Sequence, residues 1–162
     1  MKTLLVFPFS RLLKNNLPNP KNYPWLGDVL MLLRPARLRT VQVGENFHPS
    51  IGCDERADNL RTEDLLRLGR KADAFLSIES FFPHMAAALL PDIQGVVIWI
   101  VTRHEQFGYE RFTNVYANVA TDIPKEFRTL TMETIAEHNR HLKMPSPRKI
   151  AEAVLSLPCL TK

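Results

Sequence analysis

The chain has 162 residues, of which 45% are hydrophobic and 23% are charged. This is an ordinary composition for one globular domain, and the chain is long enough to bury a core without disulfides or structural metals. The formal net charge of +4 suits an anionic ligand such as a nucleotide, although many proteins without such a ligand are equally basic.

Targeting and redox signals are weak. Arg11 and Lys14 follow the short apolar run near the N-terminus without a small-residue cleavage site, so this run predicts a buried strand rather than a signal peptide. No apolar run is long enough to span a bilayer, and no transmembrane segment is expected. Cys53 and Cys159 lie far apart with no C-x-x-C pair. We therefore expect a reducing, cytoplasmic environment.

Nucleic-acid binding is not expected. The basic segment "RPARLR" (34–39) has no interleaved aromatic residues for base stacking, and the chain has no zinc-finger spacing. The segment is better explained as a solvated turn after a helix.

In the first half of the chain, the apolar run 3–9 predicts a strand and the proline- and asparagine-rich segment 15–24 predicts a loop. A helix is predicted over 24–34, with Pro24 at its start, and a second strand over 38–44. The segment 45–59 is predicted to be irregular.

A second helix is predicted over 62–72, with Thr62 as its cap and two acids in its first turn. The remaining predicted strands are 74–78, 95–101 and a weaker one at 113–116, and the remaining predicted helices are 83–90, 131–142 and 146–157, the last with Ser146 as cap and Pro147 at its first position.

Strands that are apolar on both faces and alternate with helices predict a parallel sheet covered on both sides. We expect residues 1–162 to form one α/β domain with five or six parallel strands. Ligands of such domains bind at the carboxyl ends of the strands. The loops that follow the predicted strands carry these polar or glycine residues: Ser10, Arg11, Lys21, Gly44, Glu45, Glu79, Ser80, His84, Thr102, Arg103 and His104.

The segment "ESFFPH" (79–84) joins a strand end to a helix start, where free backbone N–H groups can bind an anion. Ser80 adds a hydroxyl and His84 a ring N–H. The alternative is that Ser80 only caps the helix and His84 packs beside the sheet. Lys21 likewise has two possible explanations: its ammonium group contacts a phosphate as a point charge, or it is a solvated side chain.

Other candidates are less specific. His138 and His141 are spaced i, i+3 on a predicted helix. Without a carboxylate partner they are better explained as solvent-exposed surface residues than as metal ligands. Trp25 and Trp99 are predicted to be core residues. An aromatic ring of the segment 105–112 either stacks on a base or closes the loop over the core.

Several segments together resemble a known family. They are a strand followed by Pro-x-Ser, a K-x-x-P segment that opens a helix, "VQVG", "NLRTEDLLRLGRKADAFLSIES", "PHMAAAL" and "GVVIWIVTRHEQFGY". From Leu4 to Tyr116 the order of these segments resembles the C-terminal half of the lipopolysaccharide heptosyltransferases, which are glycosyltransferase family 9. The resemblance implies a Rossmann-like domain that is one half of a two-domain GT-B fold.

The resemblance also implies a ligand, a nucleotide-diphosphate sugar bound as donor substrate, with no further cofactor and no metal. Ser10 and Lys21 would lie on the phosphate side, and Thr102 in the loop after the fourth predicted strand. Glu79 and Ser80 match the family's Asp-Ser pair and His84 its histidine, near the diphosphate and the sugar.

In that family the N-terminal domain supplies the acceptor site and the catalytic base, so catalytic residues are not assigned here. The resemblance therefore implies a donor-binding half that works with a separate acceptor-binding chain or as a homo-oligomer. Three positions depart from the pattern: Glu79 replaces Asp, "FFP" (81–83) is bulky, and Ile100 stands where the family has a glycine that lets backbone approach a phosphate. These departures keep open two alternatives, a nucleotide-binding module without transfer and an interaction protein that has lost the ligand.

Overall fold

The structure is a computed structural model that describes residues 1–13, 15–101, 108–117, 131 and 143–161. The strands within these residues are β1 Thr3–Phe7, β2 Arg39–Gly44, β3 Glu55–Asp58, β4 Ala74–Ile78, β5 Gln94–Trp99 and β6 Thr113–Tyr116. The helices are α1 Leu26–Leu33, α2 Thr62–Lys71, α3 Phe81–Leu89 and α4 Pro147–Leu155, and a short 3-10 helix, Arg34–Ala36, follows α1.

The six strands form one sheet in the order β3-β2-β1-β4-β5-β6, and every neighbouring pair is parallel. This confirms the predicted α/β fold with a parallel sheet. The chain builds outward from β1 to β3 and then crosses back to place β4 on the other side of β1. The strand order therefore reverses between β1 and β4, and in such sheets the crevice at this reversal is where ligands bind.

The core lies on both faces of the sheet because successive side chains of a strand point to opposite faces. In β1, Leu4 and Val6 join the cluster formed with α1 and α4, whereas Leu5 and Phe7 join the cluster formed with α3. All four side chains are at most 7% exposed. The continuous apolar runs seen in the sequence thus correspond to strands that are covered on both sides.

The strand β3 was not predicted. Its sequence, "ERAD", is polar and half-exposed, because β3 is an edge strand that pairs with β2. It therefore carries no apolar run from which a strand could be inferred. Its register places Arg56 beside Gln42 of β2.

Several local predictions need correction. Arg61, not Thr62, occupies the N-cap position of α2, and α3 begins at Phe81 rather than at Pro83. Trp99 is 1% exposed, as predicted for a core residue, but Trp25 is 45% exposed. Ser146 does cap α4, since its side chain accepts a hydrogen bond from the backbone N–H of Lys149.

Some predictions fall outside the described residues. These are the helix 131–142, which carries His138 and His141, and the residues Thr102, Arg103 and His104. In the part of the chain that the structure does describe, none of the helices has the length and apolar character needed to cross a bilayer.

Candidate functional site

Polar residues from three segments meet at the carboxyl edge of the sheet. Ser10 follows β1, Glu79 and Ser80 follow β4, and Lys21 lies on the loop that leads from β1 to α1. A cavity of about 380 Å³ lies between them. It is lined by Ser10, Lys21, Glu79, Ser80, Phe81, His84 and Trp99. Five of the six residues predicted as ligand contacts therefore share one cavity, which we call the polar cavity; the sixth, Thr102, lies outside the described residues.

Asparagine side chains hold the loop that carries Lys21. The side-chain oxygen of Asn22 accepts a hydrogen bond from the backbone N–H of Ser10 (2.8 Å), and that of Asn19 accepts one from the N–H of Lys21 (3.1 Å). The hydroxyl of Tyr23 donates to the carbonyl of Pro145 at 2.6 Å. Burial, with a smaller effect from the Asp28 charge, raises the pKa of Tyr23 to about 12. This hydroxyl therefore stays protonated and anchors the loop just before α1.

The carboxylate of Glu79 is 2% exposed, and it is bonded to other groups of the protein. Its Oε1 accepts hydrogen bonds from the backbone N–H groups of Ile100 (3.0 Å) and Val101 (2.5 Å), just after β5. Its Oε2 lies 3.6 Å from Nζ of Lys21. Glu79 thus ties the carboxyl ends of β4 and β5 together, and Lys21 supplies the opposite charge that a buried carboxylate needs.

Ser80 occupies the N-cap position of α3, but its side chain makes no capping hydrogen bond. Its Oγ instead lies 3.2 Å from Oγ of Ser77. His84 is exposed, and its Nδ1 lies 2.9 Å from the hydroxyl of Tyr109. The alternative in which Ser80 caps the helix and His84 packs beside the sheet is therefore wrong.

Two of the residues that depart from the family pattern, Ile100 and Phe82, do not line the polar cavity. The side chain of Ile100 is fully buried in the core cluster on the α1 side of the sheet. The ring of Phe82 stacks on Phe7 with ring centroids 3.8 Å apart. The third bulky residue, Phe81, is 62% exposed and lines the cavity. The polar cavity therefore remains open beside these residues.

A larger cavity of about 710 Å³ adjoins the polar one near the carboxyl ends of β1 and β2. The two cavities share Ser10, Ser80 and Phe81 as lining residues. We call the larger one the aromatic cavity. Its other lining residues are Phe7, Phe9, Arg11, Val43, Gly44, Glu45, Phe47, His48, Asn59, Leu60, Thr62, Leu65 and Phe82. Sequence reasoning selected five of the residues that line this cavity, Ser10, Arg11, Gly44, Glu45 and Ser80, but missed His48.

The described residues include no group of three or more His, Cys, Asp or Glu side chains placed to hold a metal ion. Cys53 and Cys159 are both free thiols. Burial raises the pKa of Cys53 to about 12. The thiol of Cys53 is therefore protonated at neutral pH and is a poor nucleophile.

The fold and the position of its cavities define the class of protein: an α/β domain with a Rossmann-like parallel sheet and a crevice at the reversal of strand order. No family model and no curated protein matches the sequence. Among solved structures, the chain is similar to E. coli heptosyltransferase WaaC with ADP, with a TM-score of 0.56 and 16% sequence identity. The similarity covers 86% of this chain and 44% of that one.

At this sequence identity the comparison shows the fold alone. The chain has a Rossmann-like α/β fold similar to that of part of the heptosyltransferase, and it spans less than half the length of the heptosyltransferase chain it matches.

Proposed function

We propose that this chain is the donor-binding domain of a heptosyltransferase-like glycosyltransferase and that it binds a nucleotide-diphosphate sugar. The observation that carries the proposal is the polar cavity, which brings Ser10, Lys21, Ser80 and His84 together at the point where the strand order reverses. Crevices at this point are the usual ligand sites of open parallel sheets.

The polar cavity suits the diphosphate. The N–H groups of Phe81 and Phe82 lie in the first turn of α3, where no helical carbonyl is in position to accept from them. The helix dipole adds a partial positive charge at the same place. Lys21 supplies a full positive charge, and the Ser10 hydroxyl supplies a further donor. The Ser80 hydroxyl donates to Ser77, whose own hydrogen goes to the carbonyl of Ile78, and it can turn from Ser77 to donate to the anion. An anion with several oxygens matches this set of donors.

The aromatic cavity suits the nucleoside. At about 710 Å³ it lies in the size range of small-molecule pockets, roughly 300–1,000 Å³. Its lining is largely aromatic and aliphatic, as expected of a site for a flat heterocycle. Because the two cavities share Ser10, Ser80 and Phe81, one nucleotide can occupy both.

In this proposal the acceptor-binding surface and the catalytic base come from a partner chain, a second copy of this chain or another domain. The location is the cytoplasm, as expected from the isolated cysteines.

A second candidate is a binding module that holds a nucleotide or nucleotide sugar without transferring it. The observation behind this candidate is the bonding of Glu79: the carboxylate that stands where the family has Asp accepts from two backbone N–H groups and pairs with Lys21, and so it serves the fold rather than a transfer step. Consumption of the donor sugar in the presence of an acceptor would decide for the transferase, whereas binding without consumption would decide for the module.

The test is a thermal-shift series with ADP, UDP, GDP and CMP and with their sugar conjugates. A ligand that binds the native state raises the melting temperature by mass action. We expect a shift with at least one nucleotide, and we expect Lys21→Met to reduce it. Lys2→Met is the matched control, since Lys2 pairs with Asp73 at 3.2 Å just before β1, at the opposite end of that strand. No shift with any of these compounds at millimolar concentration would refute both candidates.

A further inference from the structure

The imidazole of His48 lies in the wall of the aromatic cavity and is buried. The residue is 8% exposed, and the ring sits between two phenylalanines, with ring centroids 4.8 Å from Phe9 and 4.6 Å from Phe47. A polar ring in such surroundings is costly unless its nitrogen atoms find hydrogen-bond partners.

One nitrogen of this ring has a partner that fixes the tautomer. The backbone N–H of Glu45 donates to Nδ1 of His48 at 3.1 Å. Because an N–H can donate only to the nitrogen that carries no hydrogen, the hydrogen of the neutral ring lies on Nε2. Burial also lowers the pKa of His48, which favours this neutral form.

The other nitrogen is unsatisfied. Nε2 of His48 is buried and has no hydrogen-bond partner among the residues that the structure describes. Within the described part of the chain it is therefore a buried N–H donor that no protein acceptor satisfies, which is rare in native proteins and destabilising. Such a group in a native protein needs an explanation, and a hydrogen bond to a bound molecule or ion is one.

The surrounding loop holds the ring in place. The N–H of His48 donates to the carbonyl of Glu45 at 3.0 Å, and the guanidinium of Arg56 donates to the carbonyl of His48 at 3.0 Å. Gly44 leaves the space that the ring occupies, because a Cβ at this position would lie 2.9 Å from Nδ1 of His48. The donor is thus oriented before any ligand arrives, which lowers the entropic cost of binding.

We propose that His48 is a specificity-determining residue, whose Nε2–H donates a hydrogen bond to an acceptor atom on the heterocyclic base of a nucleotide in the aromatic cavity. This inference rests on the proposed function, since it requires a nucleotide in that cavity. The ring of Phe47 is 59% exposed, so it can turn toward solvent with little loss of packing and let the base reach Nε2. A base that presents a hydrogen-bond donor at this point places its own N–H against the Nε2–H of His48, and its affinity is therefore lower.

Two substitutions separate the two nitrogens of the ring. His48→Asn keeps an acceptor where Nδ1 lies, for the N–H of Glu45, but removes the Nε2 donor. His48→Gln places an amide N–H near Nε2 but removes the acceptor for Glu45. The affinities of ADP, GDP, UDP and CDP for the wild type and for both variants are measured by calorimetry, together with the ¹⁵N resonances of the His48 ring in the wild type.

We expect His48→Asn to weaken the best-bound nucleotide about tenfold, the effect of one lost hydrogen bond, and to reduce the preference among bases. His48→Gln should stay within about threefold of the wild type if its amide restores the donor. In the wild type the Nε2 resonance should move on saturation with nucleotide, whereas Nδ1, bonded to Glu45, should stay in place. If His48→Asn does not fold, the Nε2 resonance decides the question.

Three results would overturn the inference. If His48→Asn binds like the wild type while Lys21→Met binds weakly, the role of His48 is wrong and the proposed function stands. If both His48 variants weaken binding equally and the Nε2 resonance does not move, His48 is only structural. If the wild type binds none of the four nucleotides and none of their sugar conjugates, both the inference and the proposed function are wrong.

Discussion

Lys21 and Glu79 form an ion pair across the polar cavity, with Nζ of Lys21 3.6 Å from Oε2 of Glu79. The carboxylate is almost fully buried, whereas the lysine side chain is 27% exposed. The same ammonium therefore balances a buried charge and faces the space that we assign to a diphosphate. Stability and ligand binding should be coupled through this residue.

The first prediction concerns this pair. Lys21→Met should lower the free energy of unfolding by about 1–3 kcal/mol, less than the loss of a fully buried ion-pair partner because Lys21 is partly exposed. Adding Glu79→Gln should recover part of this loss, because the neutral amide needs no counter-charge. Urea unfolding of the two single variants and the double variant gives the coupling energy. Strictly additive effects would show that the ion pair does not contribute to stability.

The second prediction compares two glycines. A Cβ at Gly95 of β5 would collide with the ring of Phe75, whereas at Gly27 of α1 the nearest atom is the carbonyl oxygen of Ile51, 3.6 Å away. Gly95→Ala should therefore cost about 1–3 kcal/mol through overpacking. Gly27→Ala should instead stabilise by about 0.5–1 kcal/mol, because alanine loses less backbone entropy in a helix. Thermal and urea unfolding check both, and equal effects of the two substitutions would contradict the packing of Phe75 against β5.

The third prediction concerns pH. Burial is the main cause that lowers the pKa of His48 from 6.5; Arg56 lowers it further, and Glu45 and Asp58 oppose the shift. The unfolded chain therefore binds more protons than the native state as the pH falls below 6.5. The stability due to neutral His48 is complete above pH 6.5 and is lost as the pH falls toward the pKa of the folded state.

His48→Asn is the control for this effect, because its amide keeps an acceptor for Glu45 and does not titrate. Urea unfolding between pH 7.5 and 5 should show a smaller loss of stability in the variant than in the wild type. Parallel pH profiles for the two proteins would show that His48 is not buried in its neutral form.

The sequence and the structure agree where local pattern decides the outcome. β4 has the predicted bounds, 74–78, because its five residues are all buried and four of them are apolar. β3 could not be predicted, because three of the four residues of this edge strand are charged, and the strand takes its conformation from pairing with β2. Trp25 was predicted to be a core residue but is 45% exposed, because exposure depends on tertiary packing that no local pattern contains.

The candidate site, like the fold, could be predicted from the sequence only in part. The loops that gather at the carboxyl edge follow from the alternation of strands and helices, and this placed Ser10, Lys21, Glu79, Ser80 and His84 near one another. The bonding of Glu79 could not be inferred, because its partners, the N–H groups of Ile100 and Val101, lie 21 and 22 residues further along the chain. The orphaned nitrogen of His48 depends on the burial of an irregular loop and gives no sequence signal.

The last prediction concerns the start of α3. Ser80→Ala together with His84→Ala should weaken nucleotide binding by about 1.5–3 kcal/mol, the range for a hydrogen bond to a charged group. The fold should be preserved, with a change in unfolding free energy within about 0.5 kcal/mol, because the Ser80 side chain does not cap the helix and His84 is exposed. Calorimetry with the nucleotide that gives the largest thermal shift measures the first effect, and urea unfolding measures the second.

Two further variants make this result specific. Tyr109→Phe removes the hydroxyl that lies 2.9 Å from Nδ1 of His84, so it should weaken binding less than the loss of the imidazole itself. Ser156→Ala removes a serine hydroxyl that donates to the carbonyl of Ala153 near the end of α4, away from both cavities, and it should leave binding unchanged. If the Ser80 and His84 double variant binds as tightly as Ser156→Ala, the start of α3 is not the phosphate site, and Lys21 must act on an anion held elsewhere along the carboxyl edge.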